Sequence, residues 1–175
     1  MSTSWHIRRK FKKFKKNENG EKRVMIINQG AKANFSGSKA ENQVNEYLNH
    51  HGFTVTQGYE YRAIWFNKRL NKADLYIHEI DTVVECKFQE SAGTTDQKGP
   101  AELYNAGQKI KAKNYILLLL GTWWDKGRGM NIYEACKEMA STMCKNRGDW
   151  LKQLEDINVM KSDEFKSWIK SQKNT

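Results

Sequence analysis

Asp74-Leu75-Tyr76-Ile77-His78-Glu79-Ile80-Asp81-Thr82-Val83-Val84-Glu85-Cys86-Lys87-Phe88-Gln89 is the stretch on which the fold turns. Side chains alternate faces along a strand, so Glu85, Lys87 and Gln89 share one face of its second half while Val84, Cys86 and Phe88 share the other. Alternation of this kind is bounded here by the polar Glu79 to Asp81 and by the Ser/Gly/Thr segment after Glu90, the pattern of a half-buried strand. Asp74 opens the preceding run, and a short turn around Glu79-Ile80-Asp81 would fold that run antiparallel to the next. The pairing brings Asp74 and Glu85 within reach of one ion.

A hard cation such as Mg2+, for which Mn2+ can substitute, takes carboxylate and carbonyl oxygens and keeps several waters. Asp74, Glu85 and the backbone carbonyl of Cys86 would make such an open site. The ion would lower the pKa of a bound water and offset charge on a phosphate. Lys87 would orient or deprotonate that water or stabilise the phosphorus centre, with Gln89 hydrogen-bonding in the same neighbourhood. The competing reading is solvated decoration, because an Asp at a strand start and a Glu-x-Lys on an edge strand are common and their spacing alone is a weak signal.

The order of elements and residues resembles the PD-(D/E)XK nuclease superfamily, whose core is a helix, three meandering strands, a helix and a further strand. Ala73-Asp74 stands where the family has Pro-Asp, and Glu85-Cys86-Lys87 matches its (D/E)-x-K. The segment from Gly37 to Phe53 looks like the opening helix of restriction endonucleases and archaeal-type junction resolvases, in which a glutamate at the position of Glu41 joins the metal site. The resemblance covers roughly residues 36 to 121. It implies an α/β fold with a restriction-endonuclease-like core, a central mixed β-sheet flanked by helices in α-β-β-β-α-β order, with extra C-terminal helices. Glu41 also has a structural alternative, since Ser38-x-x-Glu41 fits a capping box that simply starts a helix.

Charge points the same way. The formal net charge is +10, which favours a polyanionic partner. Nine of the basic residues lie within residues 1 to 23 (Arg8, Arg9, Lys10, Lys12, Lys13, Lys15, Lys16, Lys22, Arg23) against Glu18 and Glu21, a net +7. This segment reads as a basic, flexible N-terminal arm, leaving residues 24 to 175 as a single nuclease-like domain. Interleaved with Trp5, Phe11 and Phe14, its cations would neutralise phosphates in a salt-dependent way and its rings would stack on unpaired bases. A solvated tail and a membrane-surface helix are the alternatives.

Further along, a short strand is expected over Val24 to Ile27, a turn over Asn34 to Gly37, and a first helix from about Ser38 to His51 stopped by Gly52. Phe53 to Ile64 reads as a strand and Trp65 to Lys72 as a basic loop, whose Lys68 and Arg69 are phosphate-contact candidates. Gly93-Thr94-Thr95-Asp96-Gln97-Lys98 resembles Gly-Thr-x-x-x-Lys loops that follow the catalytic strand in some restriction-type nucleases, which adds Thr94 and Lys98 to those candidates. Pro100 suits the start of a helix running to about Ala112. Tyr115 to Leu120 reads as a buried central strand and is far short of the roughly 20 apolar residues of a spanning helix.

Trp123 and Trp124 read either as a stacking surface or as cover for a core edge. The helix expected over Asn131 to Lys145 would carry Ile132, Ala135, Cys136, Met139 and Met143 inward. Trp150, Leu151 and Leu154 continue helical spacing, and Ser162 would cap a last short helix. Three cysteines without metal-ligand spacing fit a reduced, cytoplasmic setting, and no secretory h-region is present. Phosphate-loop, nucleophile-elbow, His-Glu-x-x-His and dinucleotide motifs are absent.

The reading is therefore a Mg2+-dependent endonuclease acting on DNA, restriction-like on duplex substrate, working as a homodimer with no membrane and no organic cofactor. Asp74, Glu85 and Glu41 would hold the ion, with Lys87 and Gln89 completing the catalytic set. A junction- or repair-type nuclease and a non-catalytic nucleic-acid binder are the competing functions.

Overall fold

The computed structural model describes residues 12–16, 22–26, 29–62, 70–91, 98–151 and 154–173. Two compact units divide the chain, Met1–Ser38 and Lys39–Thr175. In the first, β1 (Lys12–Lys16) and β2 (Lys22–Ile26) pair antiparallel, with Phe14 opposite Val24 and Lys15 opposite Arg23. Part of the basic leader is thus a two-stranded ladder.

Helix α1 spans Gln29–His50, nine residues earlier than expected at its start. Ser38 lies within the helix, so it caps nothing, and the Asn34 to Gly37 turn does not form. Each of its two glycines, Gly30 and Gly37, costs the helix only about 1 kcal/mol relative to alanine, and the segment also holds Ala31 and Ala33. The C-terminus ends as the sequence implies. Gly52 takes φ 80°, its amide donates to the Asn49 carbonyl, and the Phe53 amide donates to the Leu48 carbonyl at 3.1 Å. This is a Schellman closure, with Leu48 and Phe53 both buried beneath it.

Among the described residues the second unit is built on a five-stranded sheet in the order β3-β4-β5-β6-β7. Strands β3 (Val55–Arg62), β4 (Leu70–Ile77) and β5 (Thr82–Phe88) form an antiparallel meander. The turn between the last two falls on His78 to Asp81, with Asp81 at φ 44°. Strand β4 begins four residues before Asp74, so Lys72 is a strand residue paired with Glu60 at 3.1 Å rather than part of a loop.

Beyond β5 the sheet turns parallel, which demands crossovers. Helix α2 (Lys98–Lys109) leads to β6 (Asn114–Leu120), and α3 (Gly127–Lys145) and α4 (Arg147–Trp150) lead to β7 (Asp156–Lys161). Helix α5 (Ser162–Gln172) follows. Its N-cap is Lys161 rather than Ser162, and Glu164 reaches back to the Lys161 amide at 2.8 Å.

Strand β7 departs from the expected run of C-terminal helices. Ile157 and Val159 are buried at a spacing of two, and the strand pairs with β6 through Ile116 and Asn158. Helix α3 starts four residues early and turns Tyr133, Cys136, Ala140 and Met143 inward, leaving Ala135 exposed.

Both faces of the sheet are covered. On one, Val83, Leu117 and Leu119 pack with Leu103 of α2 and Tyr133 and Met143 of α3. On the other, Leu75, Val84 and Ile116 pack with Val44 and Leu48 of α1 and Phe165 of α5. Adjacent Val83 and Val84 are both fully buried, so β5 is a central strand covered on both sides rather than half-buried. The result is a mixed sheet between helical layers, the restriction-endonuclease-like α/β architecture. Among the described residues no helix is long and apolar enough to cross a membrane.

Candidate active site

Strands β4 and β5 pair from Ile77↔Thr82 to Leu75↔Val84, and the ladder stops there. One more step of that register sets Asp74 opposite Glu85. Instead of continuing the ladder, the Cys86 amide donates to Asp74 Oδ2 at 2.6 Å, so a carboxylate takes the place of a backbone carbonyl where the strands part. Asp74 lies on the face of Tyr76, and Glu85 on the face of Val83, both belonging to the side covered by α2 and α3. Alternation therefore does what the sequence implied and brings the two acids together.

Lys87 joins them. Its ammonium donates to Glu85 Oε1 and lies 3.4 Å from Glu102 Oε1 on α2. The Cys86 side chain belongs to the opposite core, so this residue offers the pocket only its backbone. Glu41 reaches the same region from α1, and its charge is felt alongside those of Asp74 and Lys87. With the capping box absent, the structural alternative for Glu41 falls away.

The electrostatics follow from four acids around one ammonium. Burial pushes Glu85 up to about 7; Lys87 works against that rise, while Asp74 and Glu102 add to it. Burial likewise raises Asp74, opposed by the Cys86 amide and Lys87. Burial and the nearby Asp74 charge raise Glu41. For Lys87, burial pulls downward but the Glu85 and Glu102 carboxylates outweigh it, so its pKa stands above the usual lysine value. Burial holds the Cys86 thiol protonated.

Glu85 Oε2 is buried with no hydrogen-bond partner. A buried anionic oxygen left bare is costly, and an excess of carboxylates over cations is the donor set that a divalent ion suits. The residues fit a hard cation in that sense. Among the described residues, however, no three acidic, histidine or cysteine side chains converge as closely as ligands around a bound ion.

Other candidates fare differently. The Gln89 carboxamide donates to the Ser91 carbonyl at 2.8 Å, closing the turn after β5 rather than pairing with Glu85 or Lys87. Its backbone is pinned against Gly121, where φ is 95° and a Cβ would stand 2.3 Å from the Gln89 oxygen. Lys98 is the exposed first residue of α2. Lys12 and Lys13 lie in β1, while Arg8, Arg9, Lys10, Lys68, Arg69 and Thr94 lie outside the described residues. Trp124 is buried and donates its indole N–H to the Leu120 carbonyl at 3.0 Å, which makes it cover for the core edge.

Glu102 is the site residue that sequence reading missed. Its signal was an acid beside Leu103, on the margin of the buried stripe of α2. An apolar cleft of about 350 Å³ lined by Val44, Tyr47, Leu118 and Phe165 holds none of these acids and belongs to the opposite face of the sheet.

The sequence model of the PD-(D/E)XK nuclease superfamily domain matches residues 32–172, about four-fifths of the chain. No curated protein matches, and no solved structure matches.

Proposed function

The chain belongs to the PD-(D/E)XK nuclease superfamily, and from that premise we propose that it is a Mg2+-dependent endonuclease hydrolysing phosphodiester bonds of duplex DNA. Nuclease chemistry comes with the superfamily, whose members generally use divalent metals; the ion, the substrate and the mode of cutting are our reading. The observation that carries it is the parting of β4 and β5 at Asp74 and Glu85, with the Lys87 ammonium in the same pocket and a bare Glu85 oxygen.

In this mechanism Asp74 and Glu85 would hold the cation, with Glu41 and the Cys86 carbonyl as further ligands. A divalent ion there supplies an acidified water and offsets charge on the phosphate. Asp74 is oriented for this by the Cys86 amide, which takes one carboxylate oxygen and fixes the direction of the other. Lys87 acts as an ammonium, donating to the attacking water or to a non-bridging phosphate oxygen as negative charge builds. Its carboxylate neighbours Glu85 and Glu102 outweigh burial and keep it charged in the metal-free site. The leader, including Lys12 and Lys13 of β1, supplies phosphate neutralisation, and cutting both strands of a duplex assigns one active site per strand in a homodimer.

The test is cleavage of supercoiled plasmid in Mg2+ or Mn2+, with Asp74→Asn and Glu85→Gln as controls. Discrete linear products lost in both variants support the proposal. Cutting only of a branched substrate would redirect it to a structure-selective nuclease. Metal-dependent cutting retained by Asp74→Asn, or salt-sensitive DNA binding without any cleavage or metal uptake, would overturn it.

A further inference from the structure

Lys87 is held from two sides. A lysine ammonium has three N–H donors, and here one goes to Glu85 Oε1 and another faces Glu102 Oε1 at 3.4 Å. The two carboxylates are not equivalent. Glu85 sits on the strand, paired in register with Leu117, and its second oxygen is bare and buried. Glu102 stands on α2, anchored by Leu103 and Ala106, both fully buried, and its side chain is only 22 % exposed.

Those two positions imply two tasks. When Glu85 turns its charge to a cation, its hold on the ammonium weakens. A lysine stem is long and flexible, so an ammonium with one weakened anchor would spread over several rotamers. Among the described residues no hydrogen bond joins Glu102 to Asp74 or Glu85, whose partners are the Cys86 amide and Lys87. The partner of Glu102 is the lysine.

We propose that Glu102 is a positioning residue, which holds the Lys87 ammonium at the scissile phosphate while Glu85 is engaged with the divalent ion. The inference rests on the nuclease reading above and adds a residue to it. Partners that orient the ligands of a metal site are typically worth about 10- to 100-fold in activity, and on that scale Glu102→Gln should lower kcat. KM for DNA and the Mg2+ concentration for half-maximal rate should shift less than twofold. In a Lys87→Ala background the same change should do nothing more, because the group it positions is gone.

A second readout does not depend on cleavage. In the full-length protein labelled with 15N-lysine, a held ammonium gives a side-chain NH3+ resonance protected from exchange, assigned here by its loss in Lys87→Ala. Wild type should keep that resonance as Mg2+ is titrated. Glu102→Gln should show it without metal, when Glu85 still holds the lysine, and lose it when Mg2+ is added. A resonance that survives Mg2+ in Glu102→Gln would overturn the inference, as would losses that multiply with Lys87→Ala or a tenfold shift in Mg2+ dependence, which would make Glu102 a ligand. If wild type cuts nothing, the nuclease reading falls and the resonance alone still decides the role of Glu102.

Discussion

Replacing Glu85 by Gln should change how the stability of the metal-free protein depends on pH. Glu85 is 6 % exposed, and burial raises its pKa from 4.5 to about 7. Each unit of such a shift is worth about 1.4 kcal/mol, so ionising this group in the folded chain costs on the order of 3 kcal/mol. Between pH 4.5 and 7 the native protein keeps a proton that the unfolded chain has lost, so stability falls as pH rises through that window. Below 4.5 both states are protonated and above 7 both are ionised, so the contribution is flat on either side. Asp74 and Glu41 are raised as well, and they add slope of the same sign. The difference between wild type and Glu85→Gln reports residue 85 together with the neighbours whose titration its charge shifts. Denaturant unfolding in EDTA at pH 5.0 to 7.5, followed by tryptophan fluorescence, should show wild type losing stability relative to Glu85→Gln by up to about 3 kcal/mol. Saturating Mg2+ at pH 7.5 should restore the wild type, because an ion that binds only the folded state stabilises it. Parallel pH curves for the two proteins, or a wild type that gains on the variant as pH rises, would refute the picture of a carboxylate whose burial outweighs its pairing with Lys87.

What was legible in the sequence was whatever is written at short range. The period-two alternation from Thr82 to Phe88, the turn at Glu79 to Asp81, the apolar run of β6 and the stop at Gly52 all appear where local pattern puts them. Asp74 and Glu85 could be paired on paper because a tight turn joins their strands. What escaped was decided at long range. Strand β7 owes its state to pairing with β6, about forty residues away, whereas Leu151 and Leu154 just before it carry a helical spacing. The burial of both faces of β5 depends on α1 and α5 on one side and α2 and α3 on the other, so an alternating strand proved to be central. Glu102 enters the site only because α2 crosses beside β5, and no local spacing ties it to Lys87. The start of α1 was lost for a different reason: Asn34 to Gly37 is turn-rich in composition, and turn composition predicts a break only where helix propensity on both sides is too weak to carry the chain through.

Four further sets of substitutions test separate parts of the structure. Lys87→Ala should reduce kcat by about 10²- to 10³-fold, the loss that follows removal of one preorganised charge-stabilising donor, with Lys87→Arg recovering part of it in the plasmid assay. Changing Lys12, Lys13, Lys15 and Lys16 together to Gln should lower the slope of log Kd against log salt by about 3 to 4, roughly 0.9 per phosphate contact, with turnover at saturating DNA unchanged. Gly121→Ala forces a Cβ to within 2.3 Å of the Gln89 oxygen at φ 95°, and should destabilise by about 2 to 3 kcal/mol in thermal unfolding. Ser38→Ala separates the two accounts of α1. As an N-cap, Ser38 would accept a hydrogen bond from a first-turn amide, and its loss would cost about 1 kcal/mol. Within a helix that begins at Gln29 no such amide is waiting, and an exposed serine exchanged for the best helix former should gain a few tenths of a kcal/mol. A measured loss near 1 kcal/mol would restore the capping box, and with it the reading of Glu41 as a helix-starting residue; a small gain leaves Glu41 without that task, in the field of Asp74 and Lys87.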